Sequence, residues 1–236
     1  MLTLAVDTSF APVALALARD GQVLGAMLTQ AASTHSQRLL PALELLLAQC
    51  QVKRCELDGL AVTLGPGFFT GLRIGLATVQ GLALGLGLSV AGVSSLRLLA
   101  HGCLPGLDEG AALWAVADAR RGLLYAAPFV LESGRLARRD EDVALTPARL
   151  AERLTVPALL VGSGARIHAA QLLRSGLRLA PAWADTPRPG LLALIGQERL
   201  EAGQGLPPEQ VNPRYCRPCD AEVRFGLPLD EYRLIE

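Results

Sequence analysis

Three short stretches carry residues whose types and spacing could bind or transform a ligand. Gly65-Pro66-Gly67-Phe68-Phe69-Thr70-Gly71 joins an apolar strand to a long helix, the arrangement that lets backbone N–H groups cradle a phosphate. Leu72 and Arg73 follow Gly71 where a Walker loop would place Lys and Ser or Thr, so this is not a P-loop. Asp7-Thr8-Ser9 closes a first strand, Asp118 closes a similar strand later, and Gly162-Ser163-Gly164-Ala165 turns into a helix. Two carboxylates and a bare glycine turn could hold a metal-bound triphosphate and the base attached to it. Taken singly, each has a plainer meaning: a strand-ending Asp is usually a turn or helix cap, and a Gly-x-Gly turn before a helix is common.

Other candidates fail on spacing. His35, His101 and His168 are far apart and form no ligand motif. Cys216 and Cys219 make a Cys-x-x-Cys pair, but no second pair accompanies it and it lies in a proline-rich tail, not at a helix start after a strand. Ser163 lacks the flanking glycine spacing of a nucleophile elbow, which removes support for a Ser-His-Asp hydrolase. The expectation is no metal and no cofactor. Five cysteines at irregular spacing argue against a disulfide framework and for reduced thiols.

The elements that position these residues repeat. Strands are expected over Leu2–Asp7, Pro12–Arg19 and Gln22–Thr29, then a helix from Ser36, a strand over Leu57–Leu64, a helix from Thr70 as N-cap to Leu86, and a closing strand. Leu39, Leu40, Leu43, Leu46 and Leu47 give the first helix its apolar stripe. From Ala111 the pattern restarts, with strands over Ala112–Ala117 and Leu123–Leu131. Asp7 is followed by a hairpin glycine at Gly21 and Asp118 by one at Gly134, which points to two lobes of one design. Pro105, Gly106 and Gly110 suggest a boundary, giving lobes 1–105 and 106–236. The second lobe is expected to continue with a strand to Val161, a helix over Arg166–Arg174, another over Gly190–Ala202 and a tail.

On the helix from 70 to 86, ideal geometry puts Gly71, Gly75, Ala77, Thr78, Gly81 and Gly85 on one broad face. Each interior glycine costs about 1 kcal/mol relative to alanine, so something must pack closely against that face. Both a neighbour within the chain and a helix from another protein satisfy this.

At 236 residues, 51% hydrophobic and 19% charged with zero net charge, the chain has ample core and no overall bias toward nucleic acid. Basic residues are 21 Arg to one Lys. Arg120, Arg121, Arg135, Arg138 and Arg139 precede Asp140, Glu141 and Asp142, which reads as a mixed-charge solvated surface. The apolar run Gly81–Val93 falls short of the ~20 residues of a membrane span, and no secretory leader is visible, so a cytoplasmic protein without a membrane helix is expected.

The three stretches together, in duplicated lobes, resemble the actin, sugar kinase and Hsp70 superfamily, which implies an α/β, two-lobed actin-like fold with duplicated βββαβα lobes. Within it, Gly65–Gly75 resembles the TsaB (YeaZ) family of tRNA threonylcarbamoyladenosine biosynthesis. Asp7-Thr8-Ser9, His35-Ser36-Gln37, Gly92-Val93-Ser94-Ser95-Leu96, Asp118-Ala119-Arg120-Arg121 with Leu124-Tyr125, and Pro213-Arg214-Tyr215 with Arg217 also match in order. The match is dense to residue 125 and thinner beyond. Phe68, where the family commonly has Ser, and Cys216, where it has an aliphatic residue, depart from the pattern and put a hydroxyl role for the turn in question.

The resemblance implies a non-catalytic subunit that binds and activates the paralogous transferase TsaD, joined by the ATPase TsaE, with a homodimer when alone and tRNA contact indirect or unknown. It places Ser95 and Leu99 where TsaD carries two metal-binding histidines, and neither side chain can replace an imidazole. It implies a partner interface at His35, Ser36, Gly71, Arg73, Gly75, Thr78, Gly81 and Gly85, where Gly75→Leu or Gly81→Leu would spare the lobe and break pairing. It also implies a degenerate nucleotide cleft at Asp7, Thr8, Ser9, Asp118, Gly162 and Gly164. The alternatives are a small-molecule kinase of the same superfamily and a homodimeric interaction protein unrelated to tRNA.

Overall fold

The computed structural model describes residues 1–29, 35–216 and 231–233. Two compact units form: Met1–Leu98 with Pro187–Pro213, and Leu99–Thr186 with the described part of Arg214–Glu236. The chain thus enters the first unit twice, where the sequence reading divides it once between 105 and 106.

The first unit is built on strands β1 (Leu2–Asp7), β2 (Val13–Arg19) and β3 (Gln22–Thr29), helix α1 (His35–Gln49), β4 (Gly59–Gly65), α2 (Phe69–Leu86), β5 (Val90–Ser94) and the start of α3 (Ser95–His101). Sheet order is β3-β2-β1-β4-β5, with β1 antiparallel to β2 and parallel to β4. β1 and β4 are buried along their whole length, because both faces of the sheet are covered; this is why their sequences read as continuous apolar runs without alternation. On one face Leu4, Val6, Leu15, Leu17, Leu60 and Val62 meet Leu39, Leu43, Leu46 and Leu47 of α1 and Leu76, Val79 and Ala83 of α2. Each such leucine contributes about 1.5–3 kcal/mol on burial.

The other face is almost all alanine: Ala5, Ala16, Ala18, Ala61 and Ala91. Small side chains let a helix approach closely, and the returning segment supplies it. A Cβ added at Gly196 in that helix would stand 2.3 Å from the Ala61 Cβ. Gln197, buried beside it, donates from Nε2 to the Met1 carbonyl at 2.8 Å and accepts from the Gly21 N–H at 3.1 Å, tying the helix to the sheet edge.

The second unit contains β6 (Ala112–Arg120), β7 (Leu123–Glu132), β8 (Arg135–Arg138), β9 (Val143–Leu145), α4 (Pro147–Arg153), β10 (Ala158–Val161), the short helices α5 (Ser163–Ile167) and α6 (Ala169–Leu172), and β11 (Leu177–Leu179). The returning helix is α7 (Pro189–Glu201), and β12 (Glu231–Arg233) pairs with β9. Order is β11-β10-β6-β7-β9-β12, with β8 on β7. β6 is antiparallel to β7 and parallel to β10, as β1 is to β2 and β4, so the lobes share one design. The fold is the expected α/β, two-lobed actin-like one.

Two elements differ locally from the expected ones. The third strand of the second lobe is broken into β8 and β9, and between them Asp142, fully buried, accepts a hydrogen bond from Arg138 at 2.7 Å. A buried carboxylate requires such a partner, and supplying it bends the chain out of the ladder. The helix expected over Arg166–Arg174 divides at His168 into α5 and α6.

Candidate functional site

In the first unit the ends of β1 and β4 meet the start of α2. Phe68 is the N-cap residue of α2, two residues earlier than the expected Thr70, and it makes no side-chain cap. Its N–H instead donates to the Ser9 carbonyl at 2.7 Å. A Cβ on Gly67 would lie 2.4 Å from that same oxygen, so the glycine turn and the Asp7-Thr8-Ser9 turn are packed backbone to backbone.

Asp7 is buried, and its Oδ1 accepts from the Ser9 N–H at 2.9 Å, the Ser9 hydroxyl at 2.6 Å and the Thr63 hydroxyl at 2.8 Å. Thr8, also buried, donates its hydroxyl to the Gly71 carbonyl at 2.8 Å. The three residues that could face a nucleotide are therefore engaged with their own chain. Sequence reasoning missed Thr63; its signal is that it is the one hydroxyl in the apolar β4.

In the second unit the glycine turn packs against the end of β6. Gly162, at φ +116°, would put a Cβ 2.3 Å from the Val116 carbonyl oxygen, and Gly164 would put one 2.7 Å from the Ala117 carbonyl carbon. The Asp118 N–H donates to the Ser163 hydroxyl at 3.2 Å, and the half-buried Asp118 carboxylate accepts from the Arg120 N–H at 2.8 Å. Asp185 accepts from the Gly162 N–H and from Arg166 Nε, each at 2.7 Å, which fixes the turn from behind. Gly162 and Gly164 are thus accounted for by contacts inside this unit.

The small-residue face of α2 divides in two. Gly71 and Gly75 are buried, and a Cβ on Gly75 would meet the Thr8 hydroxyl at 2.1 Å. The expectation that these two present bare backbone to another protein is corrected: the β1–β2 turn already packs there, and Gly75→Leu would injure the lobe itself. Gly81 and Gly85 are exposed, with nothing within 4 Å of an added Cβ. Beside them Leu84 is 68% exposed, and Leu40 and Leu45 project from α1 on the same side of the sheet. Arg73 is exposed, its guanidinium 4.1 Å from the centre of the Phe69 ring. Thr78 is half-buried and donates back to the Ile74 carbonyl at 2.8 Å. His35 opens α1, and Ser36 after it is exposed.

Among the described residues no group of three or more His, Cys, Asp or Glu is gathered to hold a metal ion. Cys216 is buried, and burial, reinforced by the nearby Asp142 carboxylate, pushes its thiol up to about 12. A thiol held protonated is a poor nucleophile and a poor metal ligand. Cys219 lies outside the described residues, as do Arg217 and Pro218. Among the described residues one helix, α2, is long and apolar enough by length and composition to cross a membrane. One side of α2 packs into the first unit's core, and Gln80 on it donates to the carbonyls of Pro208 and Val211 at 3.0 and 2.9 Å.

This geometry finds its counterparts among known proteins. Residues 22–180 match the family described as TsaD, tRNA N6-adenosine threonylcarbamoyltransferase. The chain is 31% identical over 233 residues to the tRNA threonylcarbamoyladenosine biosynthesis protein TsaB of Bacillus subtilis (strain 168), covering 95% of this chain and 98% of that one. It is 31% identical over 227 residues to the TsaB of Escherichia coli (strain K12), covering 92% and 95%. The solved structure of YeaZ from Pseudomonas aeruginosa superimposes with a TM-score of 0.78 at 28% identity, covering 91% of this chain and 99% of that one. Near-complete coverage of both chains, with the duplicated sheets and the glycine turn in place, means that the chain belongs to the TsaB (YeaZ) family.

Proposed function

We propose that this chain is a non-catalytic subunit of the machinery that forms threonylcarbamoyladenosine in tRNA, acting in the cytoplasm by binding and activating the transferase TsaD together with the ATPase TsaE. The observation that carries the proposal is the open half of α2: Gly81 and Gly85 leave backbone accessible next to the exposed Leu84, and Leu40 and Leu45 are exposed on α1. A helix from a partner can approach such a surface closely and bury the leucines. Without the partner a second copy uses the same surface as a homodimer.

The non-catalytic part of the proposal is supported by the Asp7 carboxylate, whose Oδ1 is engaged by three donors of its own chain. Asp7, Thr8, Ser9, Asp118, Gly162 and Gly164 serve here as structural remnants of a nucleotide cleft. Ser95 and Leu99 stand where the paralogue's histidines are implied, and a hydroxyl and an isobutyl group cannot hold that metal.

Light scattering on a sizing column tests the pairing. A stable mixed species of this chain with the TsaD of the same organism, replacing a homodimer, is the expected result. Two unchanged peaks, with and without TsaE and ATP, would remove the proposal and favour the kinase alternative. Calorimetry on the isolated chain, showing tight ATP binding, would contradict the remnant reading alone.

A further inference from the structure

The outermost strand of a sheet presents unpaired N–H and C=O groups, a template for another strand, and folded proteins guard such edges with short strands, charges, proline or a covering segment. Most edges here are guarded. β5 is bridged by the returning segment: the Leu206 N–H donates to the Val90 carbonyl and the Val90 N–H to the Leu206 carbonyl, each at 2.9 Å. In the second unit β11 and β12 are three residues long, and the four-residue β8 begins and ends in arginine.

β3 has none of these guards. It is eight residues long, contains no charged residue and no proline, and among the described residues pairs with β2 alone. Its exposure is also unusual. Gly25, Met27 and Thr29 are partly covered, and a Cβ on Gly25 would stand 2.5 Å from Cys50 Sγ, just beyond α1. The alternate set, Leu24, Ala26 and Leu28, is exposed, the two leucines by 42% and 41%. A strand with one solvated face ordinarily places polar residues there, and this set is wholly apolar.

We propose that the outer edge of β3 is an interface between two copies of this chain, joined strand to strand as an antiparallel pair. The occupant follows from the strand's own sequence. An edge without charge meets its copy with no like charges opposed, and an antiparallel pairing of identical strands closes on a two-fold axis. An axis at Ala26 sets Leu24 opposite Leu28 of the second copy, and the reverse, so that both exposed leucines are covered and two five-stranded sheets run on as one. This edge is distinct from the open half of α2, and the argument made for that helix does not enter here.

Cysteine cross-linking in the full chain tests the interface. In Ala26→Cys the two introduced thiols face each other across the axis, within the Cα separation of about 4.4–6.8 Å that a disulfide spans. Mild oxidation is expected to convert this variant to a covalent dimer, above the background set by the wild type with its exposed Cys55. In Leu28→Cys the same pairing holds the thiols about 13 Å apart, and this variant is expected to stay at background. Adding Leu28→Lys to Ala26→Cys is expected to abolish the link without lowering the melting temperature, since the lysine guards an exposed edge. Background linking in Ala26→Cys, equal linking in Leu28→Cys, or a link that survives Leu28→Lys would overturn the proposal. The Ala26→Cys link should also form fully in a Gly81→Leu chain, whatever becomes of the α2 surface; its loss there would assign the association to α2 and overturn the β3 interface.

Discussion

The two halves of α2 use glycine for opposite purposes. At Gly75 the absence of a side chain is filled at once by Thr8 of the same lobe, whose hydroxyl is held by the Gly71 carbonyl. At Gly81 and Gly85 nothing of the chain comes near. A row of small residues on a helix is thus two features joined end to end, an internal packing site and an uncovered surface. Helical periodicity alone cannot separate them, because the residue that fills the first half comes from a turn more than sixty positions earlier in the chain.

Substitutions along the row break or sharpen this contrast. Gly75→Leu should have the largest effect on the fold, a loss of about 3 kcal/mol, because a branched side chain would have to displace the β1–β2 turn. Thermal melting of the isolated chain checks it, and an unchanged melting temperature would show that the turn yields freely. Thr63→Val comes next: it removes a hydroxyl that donates to the buried Asp7 carboxylate, and a loss of about 1.5–3 kcal/mol is expected in denaturant titration. Stability unaffected by that change would mean that the Asp7 network does not hold the loop. Gly81→Leu should cost the fold nothing and gain about 0.5–1 kcal/mol, since the added side chain points into open space and an interior helical glycine is replaced by a good helix former.

The smallest effect concerns the chain start. The Met1 ammonium donates to the Asp20 carboxylate, and this hydrogen bond raises the amine's pKa above 8.0 and lowers that of Asp20 below 3.8. For the amine, the stabilisation is complete below its unfolded value and lost as pH rises through the folded one. For the carboxylate it is complete above its unfolded value and lost as pH falls through the folded one. Wild type should therefore exceed Asp20→Asn slightly between these limits, and the two melting curves should converge at alkaline pH. Both groups are exposed, so solvent screening keeps the difference small.

Much of the architecture was legible in the sequence because each lobe repeats the same local signals. A buried strand ends in Asp7 in the first lobe and carries Asp118 two residues before its end in the second, and a hairpin glycine follows at Gly21 and Gly134. The buried runs in β1 and β4 and the leucine stripe of α1 also gave their elements directly. What was hidden depends on distant contacts. The N-terminus of α2 is capped by the Ser9 carbonyl, not by the local hydroxyl of Thr70, so propensity misplaced its start. The return of Pro187–Pro213 to the first unit is written in the alanines of β1, β2, β4 and β5, which read as merely apolar until α7 is seen packed on them.

The candidate site was legible by residue type and not by state. Asp7, Thr8 and Ser9 were correctly singled out, yet only geometry reveals that their polar atoms are engaged with Thr63 and Gly71. The arginines after Asp118 read as solvated charge, and their left-handed backbone has no sequence signature.

The most direct test of the central claim is the affinity of the Gly81→Leu chain for TsaD, measured by titration calorimetry beside its melting temperature. An affinity at least about tenfold weaker than wild type, equivalent to about 1.4 kcal/mol, with a melting temperature no lower than that of wild type is the predicted result. Wild-type affinity in a normally folded Gly81→Leu chain would contradict the claim that the open half of α2 is where the partner binds.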